Sequence, residues 1–188
     1  EYIFPNFNYE KYLYNDSDIN GDFTFNARGY QKNYDTNSDE AVLINDIKYS
    51  SFSSINSKIN GMVTNYNLLL RNLNSTSENS DSLKDGEDHK ILSTIIFESK
   101  LPLKKENQNS KSILSPKFSA RYSPNATKNN SDLNKSINYE GIFALDRIDD
   151  TAVEGGVSFT SGIEYSLTNK EDQKIINLSF ANIIRTDE

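Results

Sequence analysis

The chain has 188 residues, 35% of them apolar and 25% charged, and its 20 basic against 27 acidic side chains leave a net charge of −7. That balance argues against nucleic-acid binding, which needs a basic stripe. The absence of cysteine excludes disulfides, thiolate metal sites and a cysteine nucleophile, and a single histidine excludes a multi-histidine metal centre. Eleven Tyr and ten Phe argue against disorder throughout. No run of about 18 apolar residues offers a transmembrane helix. No signal peptide is visible, and Glu1 rather than Met opens the chain, so it reads as a fragment or a mature segment of something longer.

Apolar and polar residues alternate with period two along much of the chain, the mark of strands with two unlike faces. The pattern predicts about eight long strands. The first, 2–13, leads into Asp16-Ser17-Asp18-Ile19-Asn20-Gly21-Asp22, which has the opening of an EF-hand loop. Ala27 stands where that loop needs a bidentate Glu, and strands flank it instead of helices, so it reads as a polar turn. In the second strand, 22–33, Phe23, Phe25 and Ala27 alternate with Thr24, Asn26 and Arg28. The third and fourth cover 40–52 and 58–72. The polar stretch 73–89 follows, ending in Glu78, Asp81, Asp85, Glu87, Asp88 and His89. No partners stand at metal-binding or catalytic spacing around His89, which leaves a solvated loop.

The fifth strand is 90–103. In the sixth, 112–122, Leu114, Phe118, Ala120 and Tyr122 alternate with Ser115, Lys117, Ser119 and Arg121. A long connection, 123–152, precedes the seventh, 153–168, in which Val157, Phe159, Ile163 and Tyr165 oppose Ser158, Thr160, Glu164 and Ser166. The eighth, 173–185, sets Ile176, Leu178, Phe180 and Ile184 against Asn177, Ser179 and Arg185. Both long connections follow even-numbered strands and so fall at one end of an antiparallel sheet. Short turns on one rim and long loops on the other are the outer-membrane barrel pattern. Lys117, Arg121, Glu154 and Glu164 are then lumen-facing, and Tyr30, Tyr34, Tyr49, Phe52, Tyr122 and Tyr165 suit an interfacial girdle, although tyrosine is also simply a good strand residue. The expected fold is an all-β, antiparallel transmembrane barrel segment of about eight long strands.

Three stretches carry a resemblance. Pro116 and Pro124 bracket a strand containing Arg121; Phe143 and Arg147 follow in Tyr139–Ile148; Glu154, Gly156, Gly162 and Tyr165 lie in the next strand. This order resembles the barrel region of the lipopolysaccharide-assembly LptD family, also called organic solvent tolerance proteins, most sharply over 112–185. The family's periplasmic N-terminal domain has no counterpart here. The resemblance implies a non-enzymatic outer-membrane protein of Gram-negative cells that inserts lipopolysaccharide into the outer leaflet. It implies no cofactor. As partners it implies lipopolysaccharide, outer-membrane lipid, a plug lipoprotein and a periplasmic bridge of transport proteins. Lys117, Arg121, Glu154 and Glu164 become candidates for the saccharide path, with interior salt bridging as their structural alternative.

No nucleophile motif, phosphate loop or dinucleotide fingerprint is present, so no catalytic residue is expected. Two other readings fit the alternation. One is a soluble all-β binding module, an adhesin or carbohydrate-binding sandwich, whose apolar faces pack on each other. The other is a small self-contained outer-membrane barrel.

Overall fold

The computed structural model describes residues 2–16, 20–34, 37–55, 59, 61–81, 83–126, 138–145, 147 and 153–186. Within them run β1 (Tyr2–Asp16), β2 (Gly21–Asn33), β3 (Asp39–Ser51), β4 (Ser54–Ile55), β5 (Val63–Glu78), β6 (Gly86–Lys100), β7 (Leu103–Glu106), β8 (Ser110–Ser123), β9 (Gly156–Asn169) and β10 (Lys174–Arg185). A single 3-10 turn, Gly141–Phe143, is the one helical element among the described residues. No helix there is long and apolar enough to cross a membrane. The strands pair antiparallel in the order β1-β2-β3-β5-β6-β8-β9-β10, with β4 beside β5 and β7 beside β8. Four hairpin connections each place a short polar residue in left-handed backbone: Asn20, Asn37, Asn79 and Asp172, at φ of 50°, 59°, 53° and 55°. Asn and Asp tolerate that region because their side chains bond the local backbone.

The eight long strands correspond to the eight predicted, with one consequential difference. β5 runs on to Glu78 and β6 begins at Gly86, so the connection expected over 73–89 shrinks to residues 79–85. Ser75 and Ser77, which read as loop residues, are buried members of a strand face. Small hydroxyl side chains fill a strand's inward positions as readily as they fill turns. The only long connection among those expected is the one between β8 and β9.

Two compact units divide the chain: residues 1–51 with 68–94, and residues 52–67 with 95–188. In the first, β2 and β3 pair without interruption from Gly21↔Ser51 to Asn33↔Asp39. Val42, Ile44 and Leu73 form its buried apolar cluster, and Tyr30, expected in a girdle, packs against it together with Leu83. Phe7, Tyr9, Leu43 and Ile47 are exposed. In the second unit β9 pairs with β8 on one side and β10 on the other. Ser115, Ser119, Ser123, Ser158 and Thr160 are buried on one face, while Phe118 and Phe159 stack on the other with ring centroids 6.2 Å apart.

The strand path corrects the outer-membrane expectation. Among the described residues β1 pairs only with β2, and β10 only with β9. Among the described residues the path is therefore open. A sheet that crosses lipid must pair every strand on both sides, because each unsatisfied backbone group in hydrocarbon costs several kcal/mol. The sorting of loop lengths fails as well, since one of the two long connections is largely strand. A transmembrane barrel that assembles lipopolysaccharide into the outer leaflet, and a location in the Gram-negative outer membrane, do not stand for this chain.

Candidate functional site

A densely bonded region lies where residues 138–145, 147 and 153–155 fold back over the polar face of β8 and β9. Arg147 sits at its centre. Its guanidinium binds both Glu154 oxygens, with Nη2 donating to Oε1 at 2.7 Å. The same group donates to Ser158 Oγ at 2.8 Å, to Thr160 Oγ1 at 3.2 Å and to the Ile142 carbonyl at 3.1 Å. Arg185 of β10 reaches Glu154 Oε1 at 2.9 Å. From β8, Arg121 donates to the Ala144 carbonyl at 2.9 Å and also to that of Leu145. The fork geometry of arginine suits this work, since one planar group can bridge a carboxylate, two hydroxyls and a carbonyl at once.

Apolar contacts fix the other end of this strap. Tyr139 and Phe143 meet edge to face at 5.6 Å, and Lys117 Nζ lies 4.1 Å from the Phe143 ring centre. Beneath the rings is Gly162, where a Cβ would stand 2.9 Å from Phe143 Cζ and 3.0 Å from Tyr139 Cε2. Glycine is needed there for space. Gly156 is needed for conformation, because its φ of +75° turns the chain from the strap into β9.

The sequence-derived candidates thus separate into two sets. Arg121, Phe143, Arg147, Glu154, Gly156 and Gly162 belong to one strap contact. Lys117 touches it through Phe143 and also pairs with Glu98 at 3.2 Å. Glu164 lies 3.9 Å from Lys100. Pro116 opposes Ile163, with its carbonyl accepting from Leu101 N–H at 3.0 Å. Tyr165 opposes Leu114 and Leu178, and Pro124 is exposed beyond β8.

A second network, in the other unit, was not singled out from the sequence. Asp46 and Arg71 are both fully buried and form a two-pronged pair at 2.7 and 2.8 Å. Arg28 adds a bond to Asp46 Oδ2 at 3.0 Å. The available signal was positional. Asp46 shares a strand face with Val42 and Ile44, and Arg71 shares one with Leu69 and Leu73, so each charge interrupts an inward apolar row. Among the described residues no three His, Asp or Glu side chains converge as a metal site.

The carboxyls of Glu154 and Asp46 are both held below the ordinary carboxylate range. Burial pushes Glu154 up, but the Arg147 bond and charge, with Arg185 and Arg121 nearby, outweigh it and hold the carboxyl low. Burial likewise opposes ionisation of Asp46, and the Arg71 bond with the charges of Arg71 and Arg28 prevails. On Tyr139, burial and then the Glu164 charge raise the phenol. The geometry is that of a latch: Arg147 and Glu154 are buried and bound to each other at two points.

These features define an all-β protein built on an open antiparallel sheet with a latched strap. In comparison with known proteins, the chain matches no family model and no curated protein.

Proposed function

We propose that the chain is a non-enzymatic all-β binding module of the sandwich type, one layer of a structure whose second layer is another apolar sheet. The observation that carries this reading is an inverted distribution of side chains in the second unit. Phe118, Phe159, Ile163 and Phe180 are 41%, 42%, 41% and 70% exposed, while Arg121, Arg147 and Glu154 are each 4% exposed. Folding here has buried these three charges and left these four apolar side chains outside. Exposed apolar area of this extent marks an interaction surface, and sheets pack face to face at about 10 Å through such side chains.

The resemblance to the LptD family supports a narrower point. Five of its residues, Arg121, Phe143, Arg147, Glu154 and Gly162, converge on the strap contact, so we take the likeness to reflect this local architecture rather than transport.

Detergent-free purification tests the proposal. The chain should remain in solution without detergent, with Phe118 and Phe159 shielded in the assembled form, and Phe159→Lys should release an apolar-dye-binding species. A protein that stays in solution only in micelles, with the rings shielded by detergent, would overturn it.

A further inference from the structure

The β10 edge carries an inference independent of the packed face. Between Lys174 and Arg185 the strand has ten consecutive uncharged residues, Ile175 to Ile184, and no proline. Natural edges are usually guarded by charge, proline or brevity. The other end of the strand path, β1, shows such guards in Pro5, Glu10 and Lys11. At 12 residues β10 is also long for an edge.

The direction of its unpaired groups follows from register. Thr186 N–H donates to the Val157 carbonyl at 3.0 Å, and the pairing runs unbroken from Ile176↔Leu167 to Arg185↔Ser158. Hydrogen-bonded pairs alternate along an antiparallel ladder. Even-numbered residues of β10 therefore bond β9, and Asn177, Ser179, Ala181 and Ile183 turn their N–H and C=O groups toward the open side.

We propose that this edge pairs with β10 of a second copy of the chain, antiparallel and with Phe180 opposite Phe180 on the two-fold axis. The sequence of the strand supports that occupant. For the outward apolar face to stay continuous across the junction, even positions must oppose even positions. The stated register then sets Ile176 opposite Ile184 twice, Phe180 opposite itself and Leu178 opposite Asn182 twice, and it sets Ser179 against Ala181 on the inner face. Shifting the register by two residues one way keeps only Leu178–Phe180 as apolar pairs and sets Ile176 against Asn182 and Lys174 against Ile184; shifting it the other way keeps only Leu178–Ile184 and sets Phe180 against Asn182 and Ile176 against Thr186. Lys174 falls opposite Thr186 and Arg185 opposite Ile175, so no like charges meet. The junction forms about eight backbone hydrogen bonds, and the central aromatic pair occupies a non-hydrogen-bonded site, where facing side chains lie closest.

The cysteine-free background makes the test direct. Phe180→Cys, Leu178→Cys and Asn182→Cys would each be made in the full chain and oxidised mildly, and dimer formation followed on a non-reducing gel. Facing Cα atoms about 4.5 Å apart at a non-hydrogen-bonded pair permit a disulfide. Position 180 should cross-link at least tenfold faster than 178 or 182. Light scattering should show a dimer for the unmodified chain and a monomer for Ser179→Pro, which removes an outward N–H while leaving the β9 ladder intact. The circular dichroism spectrum should not change. A monomeric unmodified chain, equal cross-linking at all three positions, or a dimer that survives Ser179→Pro would overturn the proposal. Phe118→Lys, on β8, separates this junction from face packing: it should leave the cross-link at position 180 unchanged.

Discussion

Gly162 leaves the room that the Phe143 and Tyr139 rings occupy, and that contact sets a sharp expectation. Gly162→Ala puts a methyl group 2.9 Å from Phe143 Cζ, so it should destabilise the second unit by about 1–3 kcal/mol. Phe143→Leu should recover part of that loss in a double-mutant cycle, read from urea midpoints. Arg147 carries more. Arg147→Met strips a buried carboxylate of its main partner, and because Arg185 remains 2.9 Å from Glu154, the loss should be about 2–4 kcal/mol. The pH dependence has a definite sign. The folded carboxyl of Glu154 is held below its usual value of about 4.3, so its stabilisation is complete above that value. It is lost as pH falls through the lowered folded value. Glu154→Gln should therefore be less stable than the unmodified chain at neutral pH and show a flatter decline on acidification, measured by urea unfolding from pH 7 to pH 3.

Strands β3 and β5 show how an element accommodates charge. Asp46 follows buried Val42 and Ile44 on the inward face of β3, Arg71 stands between buried Leu69 and Leu73 on that of β5, and the two charges meet as a pair. Removing one partner leaves the other buried, so Asp46→Ala should cost about 3–5 kcal/mol. Replacing the pair jointly with Asp46→Leu and Arg71→Met should cost much less, because desolvation of both ions is avoided. Thermal unfolding of the two variants beside the unmodified chain would check this. The strap segment, by contrast, draws its stability from bonds to the neighbouring strands: a 3-10 turn of three residues cannot hold its own conformation. Hydrogen exchange at Ile142 and Phe143 should accelerate in Arg121→Gln while β1 and β2 amides stay unchanged.

At the scale of the molecule, the path of strands among the described residues is open, with β1 paired only to β2 and β10 only to β9. In the second unit the strap covers the polar face of β8 and β9, and Phe118 and Phe159 stay exposed on the opposite face. Acid should act on both units in the same direction, since Asp46 is also held low by its arginines. Total stability should be flat above about pH 5 and fall below about pH 4, followed by tryptophan-free probes such as far-ultraviolet circular dichroism.

The sequence by itself determined the all-β class, the eight long strands and the two unlike faces. These are local properties: period-two alternation fixes which side a residue takes once it lies in a strand, as Ser158 against Phe159 shows. It also marked Arg121, Arg147, Glu154 and Gly162, though only as an ordered motif. Tertiary structure alone decided that these residues meet. The strap brings Arg147 onto Glu154, Ser158 and Thr160, contacts between residues 7 to 13 positions apart that no strand period encodes. It also decided which face is buried, because alternation is the same for a lipid-facing barrel and a packed sheet. Openness was the last of these decisions: within this chain, period-two alternation in β1 and β10 reads the same whether or not the two strands pair with each other.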